Sequence, residues 1–323
     1  MTEHSLPDET LDNAIGVYKN SMEVYKEDEE HISALDKVTI QFLEELKQYQ
    51  AIGTVEECQT AVERIPPHHS YVEPYFGSGA MLFNKPTSRI ETVNDLDRDV
   101  VNLFWCIRQD AEKLSKLVMA TPFSRQEYED SFKLDVFEIT IPDDDEPYHK
   151  ALRFLVKCWQ GHGFRTNGHK VGWKNDVQGR ERSYALWNWY RLPDWIIEVA
   201  ERLRKVQIEH RPALEIIERF NYGNVFMYID TPYLLGTRTA KQYKHETTDA
   251  DHEELLKILL KIKAKIMISG YESDIYNDYL KDWHKACFKS CAEHHGIRQE
   301  VIWMNYEHNQ QLSFAADFPE VQP

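Results

Sequence analysis

Val225-Phe226-Met227-Tyr228-Ile229-Asp230-Thr231-Pro232-Tyr233 is the stretch from which the fold is read. Its first five residues form an unbroken apolar and aromatic run, bounded by a turn signal, and such a run reads as a buried strand. The run ends in an acid, a proline and an aromatic ring. Open α/β sheets bind their ligands outside the carboxyl ends of the strands, so this strand delivers Asp-x-Pro-Tyr to a binding edge. Asp230 supplies a hydrogen-bond acceptor, Pro232 stiffens the turn and Tyr233 offers a flat face. That set suits a planar ring carrying an amino group. An α/β architecture follows, and with it the expectation of a cofactor site elsewhere along the same edge.

A second such edge lies upstream. Tyr71-Val72-Glu73-Pro74-Tyr75-Phe76-Gly77-Ser78-Gly79-Ala80-Met81 reads as strand, Gly-x-Gly turn, then helix, with glycines that let backbone approach a ligand closely. Arg89–Val93 reads as the next strand and ends in Asn94-Asp95-Leu96-Asp97. An acid after the second strand is where nucleotide-binding sheets hold ribose hydroxyls. Asp97 is alternatively an N-cap for a helix over 98–110. Further on, the pattern predicts a helix over 249–263 with Asp249 at its N-cap. It also predicts a buried strand over Lys265–Tyr271 and a closing strand pair over 284–289 and 299–306. A Rossmann dehydrogenase is the rival for the glycines and the acid, but it needs no Asp-x-Pro-Tyr strand end.

The 323 residues suffice for one large domain or two, and 42% hydrophobic and 12% aromatic content supports a packed core. No apolar run is long enough to span a membrane. Met1-Thr2-Glu3-His4 is too polar for a signal peptide, and five scattered cysteines suit a reducing cytosol. The net charge is −16, which disfavours nucleic acid as a partner, but it is unevenly spread. Residues 1–65 hold 5 basic and 15 acidic side chains, whereas 153–191 hold 8 basic and 2 acidic. A basic island of this kind points to a polyanion; a solvated basic face is the alternative.

Within that island, 161–176 is Gly-rich and lacks helical period, and is expected to form a loop or twisted hairpin. Arg165, Asn167, Lys170 and Lys174 interleave with Phe164 and Trp173 there, the residue types that contact phosphates, base edges and ring faces. Near the N-terminus, Leu11, Ile15, Tyr18, Met22 and Tyr25, then Leu35, Val38, Phe42, Leu43 and Leu46, make two amphipathic helical stripes. They pack on their own domain, form a homodimer contact or cap the site. Cys287-x3-Cys291-x2-His294-His295 has only loose zinc spacing, and His68-His69 beside two prolines reads as a turn. No metal is expected.

Taken together, Glu73-Pro74-Tyr75-Phe76-Gly77-Ser78-Gly79, then Asn94-Asp95, then a basic insert, then Asp230-Thr231-Pro232-Tyr233, resemble the Dam-type DNA adenine-N6 methyltransferases. The likeness runs from about residue 64 to 307. It implies a Rossmann-like methyltransferase sheet carrying a mostly helical target-recognition insert, with S-adenosylmethionine as donor and an adenine flipped out of DNA as acceptor. The implied organisation is an acidic helical extension over 1–63, a catalytic domain over 64–118 and 205–307, an insert over 119–204 and a tail over 308–323. Carried over, Tyr75, Phe76, Gly77, Ser78 and Gly79 cradle the cofactor and Asp95 holds its ribose. Asp230, Thr231, Pro232 and Tyr233 form the catalytic motif, with Tyr233 stacking on the base. Arg165, Asn167, Lys170 and Lys174 contact DNA. The likeness further implies a cytoplasmic enzyme, bacterial or phage-encoded, of the kind found in restriction-modification. Two departures stand out. Thr231 occupies a place where the motif has proline. Ala51–Glu57, with Gly53 as remnant, lacks the lysine of an upstream cofactor segment. A methyltransferase-like binding protein with lost or weakened catalysis is the alternative those departures leave.

Overall fold

Short extended segments become strands when they can pair, and seven do so among the described residues. In a computed structural model of the chain, residues 61–133, 145–162, 168–175, 184–234, 243–291 and 297–307 are described. The strands are β1 (Ser70–Glu73), β2 (Ile90–Asn94), β3 (Val206–Glu209), β4 (Val225–Ile229), β5 (Lys265–Tyr271), β6 (His284–Cys291) and β7 (Ile297–Met304). They form one sheet in the order β3-β2-β1-β4-β5-β7-β6. β1, β2, β3, β4 and β5 pair in parallel, and β7 runs antiparallel between β5 and β6. The fold is α/β and Rossmann-like, as the sequence predicts. The strand order reverses between β1 and β4, and a crevice at such a switch point is where doubly wound sheets hold ligands. Register places Val72 beside Met227 and Ile229 beside Ile268.

Nine helices are described: α1 (Ala80–Asn84), α2 (Arg98–Gln109), α3 (Ala111–Ala120), α4 (Arg125–Asp130), α5 (Glu146–Gln160), α6 (Tyr184–Leu203), α7 (Ala213–Arg219), α8 (Asp249–Leu259) and α9 (Asp274–Tyr279). Their starts are chemically marked. The carboxylate of Asp97 caps α2, accepting from the Asp99 amide, and Ser273 caps α9. For α8 the predicted cap is corrected by one residue. Thr248, not Asp249, caps it, in a reciprocal capping box with Asp251.

Two apolar clusters cover the sheet. One joins Tyr71, Val93 and Phe226 to Leu114, Tyr128, Leu155, Trp189 and Ile196, so helices of the insert share the sheet's core. The other joins Val72, Met227 and Ile268 to Leu255, Leu256, Tyr276 and Trp303. Asn94, buried, staples the binding edge. Its Nδ2 donates to the carbonyls of Pro74 (2.9 Å) and Arg211 (3.0 Å), and its Oδ1 accepts from the Arg211 amide. The ends of β1, β2 and β3 are thereby held together. Among the described residues, no helix is long and apolar enough to cross a membrane.

Candidate active site

The glycine turn begins where β1 ends. Gly77 and Gly79 both sit at positive φ, +51° and +74°, which L side chains rarely adopt. A Cβ on Gly79 would stand 2.6 Å from Phe76 and 2.5 Å from Phe83, whereas one on Gly77 would meet open space. The two glycines therefore differ in purpose. Gly79 lets the turn close on its own core, and Gly77 leaves room outside it. Phe76 is buried against Phe104, ring centroids 4.7 Å apart, so its side chain belongs to the core and only its backbone serves the turn. Tyr75 is half-buried against the second cluster, and Ser78 lies exposed on the rim.

Asp95 braces this turn from β2. Its Oδ2 accepts from the Gly77 amide at 2.8 Å and its Oδ1 from the Asp97 amide at 2.7 Å. Burial raises its pKa above the ordinary aspartate value, against the pull of the two amides. Each carboxylate oxygen has a second lone pair, so hydroxyls approaching Gly77 would still find acceptors. The open space at Gly77, the bracing acid and the rim serine together fit the sugar and amino-acid parts of a nucleoside-type cofactor.

Glu73 is the acid that the sequence reading quoted without assigning. It is buried and accepts from Tyr71 Oη at 2.8 Å. Burial, first, and the nearby Asp230 charge push its carboxyl up to about 8, against the Tyr71 hydrogen bond and Lys85.

Across the switch point, β4 brings Asp230 to the same edge. Ser269 Oγ, on β5, donates to Asp230 Oδ1 at 2.9 Å and accepts from Tyr228 Oη at 3.3 Å. The Asp230 residue itself is exposed at the edge while Thr231 is buried. Tyr233 is half-buried and meets Tyr271 edge-on, with centroids 4.7 Å apart. Burial and the Asp230 charge hold its phenol well above the usual value, so the ring is neutral. Tyr271 and Ser269 went unassigned in the sequence because β5 reads there as plain buried strand. By Lys244 the chain has reached the start of α2, where Lys244 Nζ pairs with Asp99 (3.0 Å) and Asp97 (3.4 Å). The segment after Tyr233 thus ends beside Asp95.

The chain matches the family model for D12 class N6 adenine-specific DNA methyltransferases over residues 59–297. It belongs to that family. No curated protein matches the chain.

The residues expected from the sequence to contact DNA divide in this D12-family chain. Arg165 and Asn167 lie outside the described residues, as do Gly53 and the N-terminal stripes. Gly161 bridges Trp173 in antiparallel fashion, with His162 N donating to Gly172 O at 2.8 Å and Lys174 N to Gln160 O at 2.8 Å. These antiparallel contacts close the base of the segment for which the sequence predicts a loop or twisted hairpin. Lys170 pairs with Glu129 at 3.4 Å. Trp173 packs against Phe123 with Arg125 over its ring, so it is part of the hairpin's foundation, not a free stacking face. Of the loose zinc set, His294 and His295 lie outside the described residues.

Proposed function

We propose that this protein transfers a methyl group from S-adenosylmethionine to the N6 amine of an adenine turned out of DNA. The observation that carries the reading is the pairing, across one switch point, of the Gly77 turn braced by Asp95 with Asp230 braced by Ser269. The donor, when bound, supplies a methyl group activated by its sulfonium sulfur. The backbone around Gly77 and the Asp95 carboxylate would hold it. Asp230 would accept a hydrogen bond from the amine N–H, drawing the nitrogen lone pair out of the ring and toward the methyl. Tyr233, neutral and set by Tyr271, would stack on the base and offset part of the stacking lost in flipping. The protein's contribution is then position and electrostatics.

Tritiated methyl incorporation into DNA tests the reading. Asp230→Ala is expected to cut incorporation at least about a hundredfold with the fold intact, and product analysis is expected to give N6-methyladenine. A folded wild-type protein that labels no DNA sequence would overturn it. The second reading, a binding protein with catalysis lost, rests on Thr231 and on the missing lysine near Gly53. Calorimetry with S-adenosylmethionine separates the two, because micromolar binding favours the enzyme.

A further inference from the structure

Thr231 stands where the resembling motif carries a proline, and proline fixes φ where threonine does not. The structure holds this segment in another way. Thr247 Oγ1 donates to the Pro232 carbonyl at 2.8 Å. A carbonyl can only accept, so the single Thr247 proton is used and its oxygen must accept in turn. What faces it is His252 Nε2, at 2.9 Å. The other ring nitrogen, Nδ1, lies 2.9 Å from Tyr276 Oη. A neutral ring with its proton on Nε2 satisfies both contacts, and the phenol then donates to Nδ1. The phenol oxygen keeps an acceptor site, and the Thr231 hydroxyl faces it. Thr231 Oγ1 is buried and makes no hydrogen bond of full geometry among the described residues. One proton order therefore runs Tyr276, His252, Thr247, Pro232, and ends on the residue next to the buried Thr231.

The parts come from separate elements. Thr247 precedes the Thr248 cap of α8, His252 sits in its first turn and Tyr276 lies on the Ser273-capped α9. His252 is 1% exposed and Tyr276 3%. Buried polar groups so arranged are strongly specified, since each lost partner leaves another unsatisfied. Resting on the methyl-transfer reading above, we propose that Thr247, His252 and Tyr276 are positioning residues that fix Asp230–Tyr233, replacing by hydrogen bonds the rigidity a proline at 231 would give. The network holds the segment at the Pro232 carbonyl, between the acid and the stacking tyrosine.

A double-mutant cycle tests this. Thr247→Val and Tyr276→Phe are each expected to lower the single-turnover methyl-transfer rate about tenfold or more, with KM for donor and DNA within about twofold. In a Thr231→Pro background the same changes are expected to cost less than about threefold, because proline already supplies the restraint. Equal penalties in both backgrounds, or changes confined to KM, would overturn the proposal. If a variant fails to fold, 15N NMR of labelled histidine in the wild type reads the ring directly, with His252→Gln assigning the signal. A neutral ring protonated on Nε2 is expected; a proton on Nδ1, alone or with Nε2, overturns the proton order. Should the folded wild type methylate no DNA, the functional reading falls by itself. The tautomer, and non-additivity of Thr231→Pro with Tyr276→Phe in melting temperature, would still decide the positioning role, and additivity would end it.

Discussion

Glu73 shows at the residue scale what a buried acid does to its protein. Unfolded, it ionises near its ordinary 4.5; folded, burial and Asp230 move it to about 8. The folded chain therefore holds one more proton than the unfolded chain between those values. Stability from this group is complete below about pH 4.5 and is lost as pH rises through about 8. Glu73→Gln keeps an acceptor for Tyr71 and removes the ionisation. It is expected to gain stability relative to wild type on going from pH 5 to pH 9, by about 1.4 kcal/mol per pH unit at the steepest and a few kcal/mol in all. Urea unfolding at the two pH values measures this, and parallel curves would mean that Glu73 is already ionised in the fold. Glu73 and His252 were both visible in the sequence and neither was assigned. Glu73 reads as part of a motif, and His252 falls within the helix predicted from Asp249. The partner that gives His252 its meaning, Tyr276, lies 24 residues further on, a separation that only the fold closes.

At the scale of elements, legibility followed length and burial. β4, β5 and β7 could be read because each carries an apolar run, and β1 and β2 because a glycine turn and an acid follow them. β3, Val206-Gln207-Ile208-Glu209, was missed because four alternating residues make no run. Its place at the sheet edge comes from Asn94 gripping Arg211 and from pairing with β2. α1 was expected after the glycines but is only five residues long, held by Gly79 and not by periodicity. An ionic cluster adds to the apolar core that these pieces share with the insert. Glu91 on β2 is buried with Lys85, just after α1, and with Arg202, in the last turn of α6. Arg202 also donates to Leu82 O at 3.0 Å. Burial alone would raise the Glu91 carboxyl, but Arg202, Lys85 and the Ser88 amide hold it below its ordinary value. Breaking one side of a buried charge cluster leaves desolvated charge behind. Arg202→Met is expected to destabilise by roughly 3 kcal/mol, at the low end for such breaks because Lys85 remains. Chemical denaturation checks it, and a loss below about 0.5 kcal/mol would mean that the cluster is solvated like an ordinary surface pair.

For the whole molecule, the question is how a chain of net charge −16 approaches a polyanion. The insert gives a physical answer. Its helices share one apolar core with the sheet, so the basic residues they carry are tied to the same framework as Asp230. Lys170 stands on the hairpin in a half-exposed pair with Glu129. Exposed pairs contribute little, so a phosphate can replace Glu129 at small cost. Each cation that neutralises a phosphate releases condensed counterions, and binding then weakens with salt by about 0.9 in log–log slope per contact. If the hairpin is the DNA surface, Arg165→Ala with Lys170→Ala is expected to make the slope shallower by about 1 to 2. Affinity would fall at low salt and converge with wild type at high salt. Fluorescence anisotropy with a labelled duplex over a range of salt concentrations measures both. The charge neutralisation Glu129→Gln supplies the opposite sign, because freeing Lys170 should strengthen binding at low salt. If the double alanine variant keeps the wild-type slope and Glu129→Gln changes nothing, the anionic strand is held elsewhere, and Arg153 and Lys157 on α5 and Arg191 on α6 become the residues to test next.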